Sequence, residues 1–177
     1  MAEQVTGDLT SVIDELARPG HAPDTEGLGR VARWLAKFFG VDADEVAILD
    51  LVTKDKHLKF VIPEKLAAIG SIPLTSATAL AARTVRERRP ELLNNFSAAR
   101  HASVFEGVPL GRDPSEMIQK IMSAPILEGT AVSGVVQISR KGRSANDAGA
   151  DFTQKDLQNL IRLAPSLDLF LKLCRLP

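Results

Sequence analysis

The chain alternates between two kinds of hydrophobic spacing. From Asp24 to Phe39, Leu28, Val31, Leu35 and Phe38 step by 3, 4 and 3, which sets them on one face of a helix. Asp24 or Thr25 can cap its start, and Gly40 suits its end. From Glu45 to Thr53 the spacing gives way to an apolar run, Val46 to Leu49 and then Leu51 and Val52. That pattern predicts a strand buried on both faces. After the polar turn Lys54-Asp55-Lys56, His57 to Ile62 predicts its antiparallel hairpin partner.

The same reasoning covers the rest of the chain. Ser76 to Arg89, rich in Ala and Arg and closed by Pro90, predicts a helix, and Leu92 to Phe96 a short strand. Met117 to Ile126 and Ala131 to Arg140 predict a second hairpin around Glu128-Gly129-Thr130. Within it, Gly134 shares a predicted face with Val132, Val136 and Ile138. Thr153, with Asp156 three residues on, opens a long C-terminal helix. Near the start, Leu9, Val12, Ile13 and Leu16 sit at helical spacing before the breaker Arg18-Pro19-Gly20. Residues 1–23 are therefore expected to be a helix and linker, and 24–177 the main domain. Helices bracketing antiparallel hairpins make the fold class α+β, a central antiparallel sheet of five to six strands flanked by helices.

Composition then removes several functions. A length of 177 residues fits one domain that needs no disulfide or metal to hold its core. Lys plus Arg and Asp plus Glu both number 22, and this zero net charge argues against nucleic acid and anionic membrane as partners. A single cysteine, Cys174, leaves no internal disulfide and no multi-cysteine zinc site. No apolar run reaches the ~18 residues of a membrane span, and the first residues carry no secretory pattern, so a cytoplasmic location is expected.

The candidate chemistry is sparse. His21, His57 and His101 lie far apart with no metal-ligand spacing, so no metal site is expected. Gly27-Leu28-Gly29 falls inside a helix and follows no strand, which fails the context of a dinucleotide fingerprint. Arg83, Arg86, Arg88 and Arg89 spread around one helix end and read as a solvated terminus. More informative are polar residues inside apolar strands: Asp50, Ser123 and Gln137. Buried, they need partners, either a ligand or the chain itself. Residues 98–116, punctuated by Gly107, Pro109, Gly111 and Pro114, form a candidate ligand-covering loop. In and beside it, Arg100, His101, Phe105 and Met117 offer a cation, a titratable ring and two apolar surfaces.

Three segments in order resemble the GAF domain, a small-ligand sensory module. Ile121 to Ile126, a turn, and Val132 to Ile138 are similar to its "xPL" and "GVL" strands. Ala82 to Val85 followed by Pro90 to Asn95 is similar to its helix and "pvlvnD" strand, with Asn95 closing the match. Asp151 to Leu157 is similar to the "F-t-x-x-D" start of its last helix. The chain departs from the cyclic-nucleotide-binding members, with Ser139-Arg140 in place of Asn-Lys and Leu157 in place of Glu. It also lacks the pocket cysteines of the bilin-bearing and methionine-sulfoxide-reducing members. The resemblance implies a non-enzymatic sensory domain. It would bind a small molecule, of unknown identity, between the sheet and residues 94–117 and signal through its terminal helices. A scaffold with a closed pocket, used for dimerisation or partner docking, is the alternative, and a reductase a third. In the last helix, Leu157, Leu160, Ala164, Leu167 and Leu171 repeat at heptad spacing, which predicts a homodimer seam, interrupted by Pro165.

Overall fold

The computed structural model describes residues 2–96 and 113–177. In chain order the elements are helices α1 (Ala2–Leu16) and α2 (Thr25–Phe39), strands β1 (Val46–Val52) and β2 (His57–Ile62), the short helix α3 (Glu64–Ala67), strand β3 (Ser71–Pro73), helix α4 (Leu80–Glu87), strands β4 (Glu91–Leu93), β5 (Met117–Glu128) and β6 (Ala131–Gly142), and helix α5 (Gln154–Cys174). The caps are those expected. Asp24 Oδ1 accepts the Gly27 N–H at 2.9 Å, and Gly40 ends α2 in the left-handed region at φ 65°. Thr153 and Asp156 close a reciprocal capping box at the start of α5.

The six strands form one sheet in the order β3-β2-β1-β6-β5-β4, with every pairing antiparallel. The α+β class holds. On one face lie α1, α2 and α5, whose Leu9, Ile13, Leu35 and Leu160 pack with Ile48 and Val136 of the sheet. On the other lie α3 and α4, where Leu66, Ala82 and Val85 meet Leu49, Phe60 and Val135. As the continuous apolar run predicted, the central strand β1 contributes to both cores. The small side chains Ala81 and Ala82 seat α4 close to the sheet.

The strand expected over Leu92 to Phe96 is instead Glu91–Leu93, and three further expectations change in detail. First, α4 starts at Leu80 rather than Ser76, because the carbonyls of Leu74 and Ser76 accept from Arg86 Nη1 at 2.6 and 2.8 Å and Ser76 Oγ accepts the Ala79 N–H. Arg88 ends it with φ 51°. Second, the register of β6 shifts between its pairs with Ile126 and Leu127, so Val132 turns to the α4 side while Gly134 stays under α5. Third, the heptad seam of α5 is spent on the domain's own core. Leu157, Leu160, Ala164, Leu167 and Leu171 are all buried. Within α5, Ile161 and Leu169 are the exposed large apolar residues, with Leu176 just beyond.

Both sheet edges are short. β3 and β4 have three residues each, and β4 pairs with Ile121 to Ser123 of the longer β5. Pro125 sits in the stretch of β5 past that cover.

Candidate functional site

In-register pairing lines up one residue from each of three strands on the α4 face. Glu91 of β4 pairs with Ser123 of β5, which pairs with Gln137 of β6. Above this row stands Thr84 of α4, fully buried, with Arg83 beside it. The polar atoms connect in one direction. The Thr84 hydroxyl bonds the Leu80 carbonyl at 3.0 Å, the Ser123 and Thr84 hydroxyls lie 2.7 Å apart, and Gln137 Nε2 donates to Ser123 Oγ at 3.2 Å. One proton assignment serves all of it: Gln137 donates to Ser123, Ser123 to Thr84, and Thr84 to its own helix. Next to this chain, Arg83 Nε and Nη2 donate to the two carboxylate oxygens of Glu91, each at 2.8 Å. That is a bidentate pair, the stronger kind, with Glu91 mostly shielded from solvent. A polar seam therefore runs through an otherwise apolar interface.

The structure brings Ser123 and Gln137 together and separates them from Asp50. Asp50 pairs with Gly134 and lies on the α5 face. There its Oδ1 accepts from Arg175 Nε at 3.0 Å and Nη2 at 2.6 Å, and Nη2 also donates to the Ser133 carbonyl. Its partner is thus the last turn of the chain. Asn95 is exposed after β4, and Met117 is exposed at the start of β5. Arg100, His101 and Phe105 lie outside the described residues. Sequence reasoning missed Thr84 and the Arg83–Glu91 pair. Glu91, eight residues after Arg83, was a signal, since the turn at Arg88 and Pro90 folds the strand back beneath the helix.

Other polar clusters hold the fold. Arg88 donates to the Thr130 carbonyl, and Arg89 pairs with Glu87. Asp42, Asp44 and Glu45 converge before β1, but Glu45 accepts the Asp42 N–H at 2.9 Å and the Lys141 N–H, and Asp44 pairs with Lys141. A cleft of about 130 Å³ between the end of α1 and the start of α2 is lined by Glu15, Arg18, Asp24 and Arg30, and Arg30 is paired with Glu15. Cys174 is half-buried at the end of α5, and burial, followed by the nearby Asp50 carboxylate, pushes its thiol up to about 12.

No protein-family model and no curated protein matches the chain. Solved structures do. The GAF domain of a phosphoenolpyruvate-protein phosphotransferase from Coxiella burnetii is similar at a TM-score of 0.71 and 13% identity, over 98% of this chain and 94% of that one. The corresponding domain from Acinetobacter gives 0.69 and 15% identity, over 96% and 92%. The free methionine-R-sulfoxide reductase from Neisseria meningitidis, solved with its substrate, gives 0.63 and 16% identity, over 98% and 90%. The chain has the GAF fold, with helices on both faces of a six-stranded antiparallel sheet. Among the described residues no helix is long and apolar enough to cross a membrane.

Proposed function

We propose that this GAF-fold chain is a non-enzymatic sensory domain that binds a small molecule on the α4 face of its sheet, beside Ser123 and Gln137, and passes the change to its terminal helices. The observation that carries the reading is the polar seam Thr84–Ser123–Gln137 with Arg83–Glu91, set in an apolar interface where side chains of simple packing value would serve the fold as well. Gln137, half-buried where Ser123 is fully buried, is the more solvent-accessible of the two. Against a cysteine-based reductase stands Cys174, which packs with the core on the α5 side of the sheet, opposite α4, and whose thiol is held protonated at neutral pH.

A thermal-shift screen with nucleotides and central metabolites tests the reading. A ligand at about a hundred times its Kd stabilises by ~2.7 kcal/mol, roughly 5–10 °C for a domain of this size. A hit whose shift shrinks in Gln137→Leu supports it, and a panel with no hit sinks it. The second reading, a scaffold with a filled site, draws on a specific observation too. Ser123 is fully buried and bonded within the chain, leaving it no demand for a ligand. Under either reading we propose a homodimer through the outward stripe Ile161, Pro165 and Leu169 of α5, in place of the buried seam.

A further inference from the structure

Strand β4 is too short to hold itself. Its three ladder pairs with β5 leave its position to the side chains at its two ends. At the first end, Glu91 is gripped by both donors of Arg83 from α4. Just past the second end, Asn94 clasps the backbone of Phe152. Its Nδ2 donates to the Phe152 carbonyl at 3.0 Å, and its Oδ1 accepts the Phe152 N–H at 2.9 Å. A side-chain amide bonded on both sides acts like one more rung of a ladder and tolerates little sliding.

Phe152 is a junction. Its ring is buried, and the Arg140 guanidinium lies 4.8 Å above its centroid. The same guanidinium donates to the carbonyls of Phe39 and Gly40, where α2 ends. The next residue, Thr153, is the cap of α5. A shift of β4 thus bears on the residue before the first turn of α5 and, through Arg140, on the end of α2.

We propose that β4 is a two-ended strap that carries changes at α4 to the first turn of α5, with Arg83–Glu91 as its input contact and Asn94–Phe152 as its output contact. The strap rests on the reading of the α4 face as the ligand site, since that is where an input would arise. Contiguity alone does not establish coupling, so the test is a double-mutant cycle. Hydrogen exchange is followed in the free protein for wild type, Arg83→Gln, Asn94→Ala and the double variant. Because no ligand is used, the strap can fail while a binder is found, and can hold while none is.

Arg83→Gln is expected to speed exchange of the α5 amides from Leu157 onward by about three- to tenfold, the range of a modest local opening. The same change in the Asn94→Ala background is expected to add little. Equal effects of Arg83→Gln in both backgrounds, or faster exchange in β4 with none in α5, would overturn the strap. A rise shared equally by the β1–β2 hairpin would overturn it too, because it marks general loosening. Arg83→Lys, which keeps the charge and loses the two-pronged grip, provides the same comparison if Arg83→Gln does not fold.

Discussion

At residue scale a glycine and a thiol each yield a prediction. A Cβ on Gly134 would collide with the Leu49 carbonyl oxygen and lie 2.5 Å from Leu171 Cδ1. The backbone oxygen cannot rotate away, so Gly134→Ala already forces β1 and β6 apart, and Gly134→Val also drives Leu171 out of its place. We expect Gly134→Val to cost about 1–3 kcal/mol or more, read as a lower urea midpoint at unchanged slope. An unchanged midpoint would mean that the strands separate freely there. Cys174 yields a pH prediction. Its thiol pKa rises from 9.0 to about 12 on folding, so between those values the unfolded chain has released a proton that the native chain keeps. The contribution of this site to stability is whole below pH 9 and is lost as pH climbs toward 12. The native thiolate is also much scarcer at pH 8 than that of an ordinary cysteine, so alkylation should be slow until denaturant is added. Fast labelling of the native protein would contradict this.

At element scale the prediction concerns the seam between α4 and the sheet. Ser123→Ala leaves the Gln137 N–H without its acceptor and Thr84 without its donor, which costs roughly 1–3 kcal/mol. Thr84→Val removes less, because its own proton goes back to the Leu80 carbonyl. In denaturant melts the double variant should cost less than the sum, since either change breaks the same chain of bonds. Strict additivity would show that the two hydroxyls do not depend on each other. Much of this geometry was legible in the sequence. The period of 3–4 in α2 and the apolar run of β1 gave both elements, and the turn at Glu128–Thr130 gave the hairpin that sets Ser123 against Gln137. What escaped were pieces without a period. At four and three residues, α3 and β3 are too short to show one. The late start of α4 depends on Arg86 reaching carbonyls 12 and 10 residues upstream. Asp50 read as a site residue because its partner, Arg175, lies 125 residues away in sequence, where no local pattern could point to it.

At the scale of the molecule, the question is what covers the outside of α5. One side of that helix is spent on the sheet and another on α1, where Thr10 and Ser166 share a hydrogen bond at 3.0 Å. Ile161 and Leu169 remain more than 40% exposed. If they meet a second copy, light scattering at micromolar concentration reads about twice the 19.1 kDa of one chain, and Ile161→Glu with Leu169→Glu returns it to one. A mass of one chain at every concentration would leave the stripe to some other use.

The sheet's rims carry a different consequence. Open strand edges invite a neighbour's backbone, and extended pairing of that kind builds fibrils. Among the described residues the outermost strands are three residues each, and the longer β5 carries Pro125, a residue with no N–H to offer, where β4 ceases to cover it. Replacing Pro125 with Val would restore a donor and add β propensity to the run Ser123 to Leu127. The expected outcome is a protein that folds and melts much as before but, held warm at high concentration, turns turbid and binds thioflavin sooner than its parent. On that view Pro125 serves the company the molecule keeps in solution more than the fold itself.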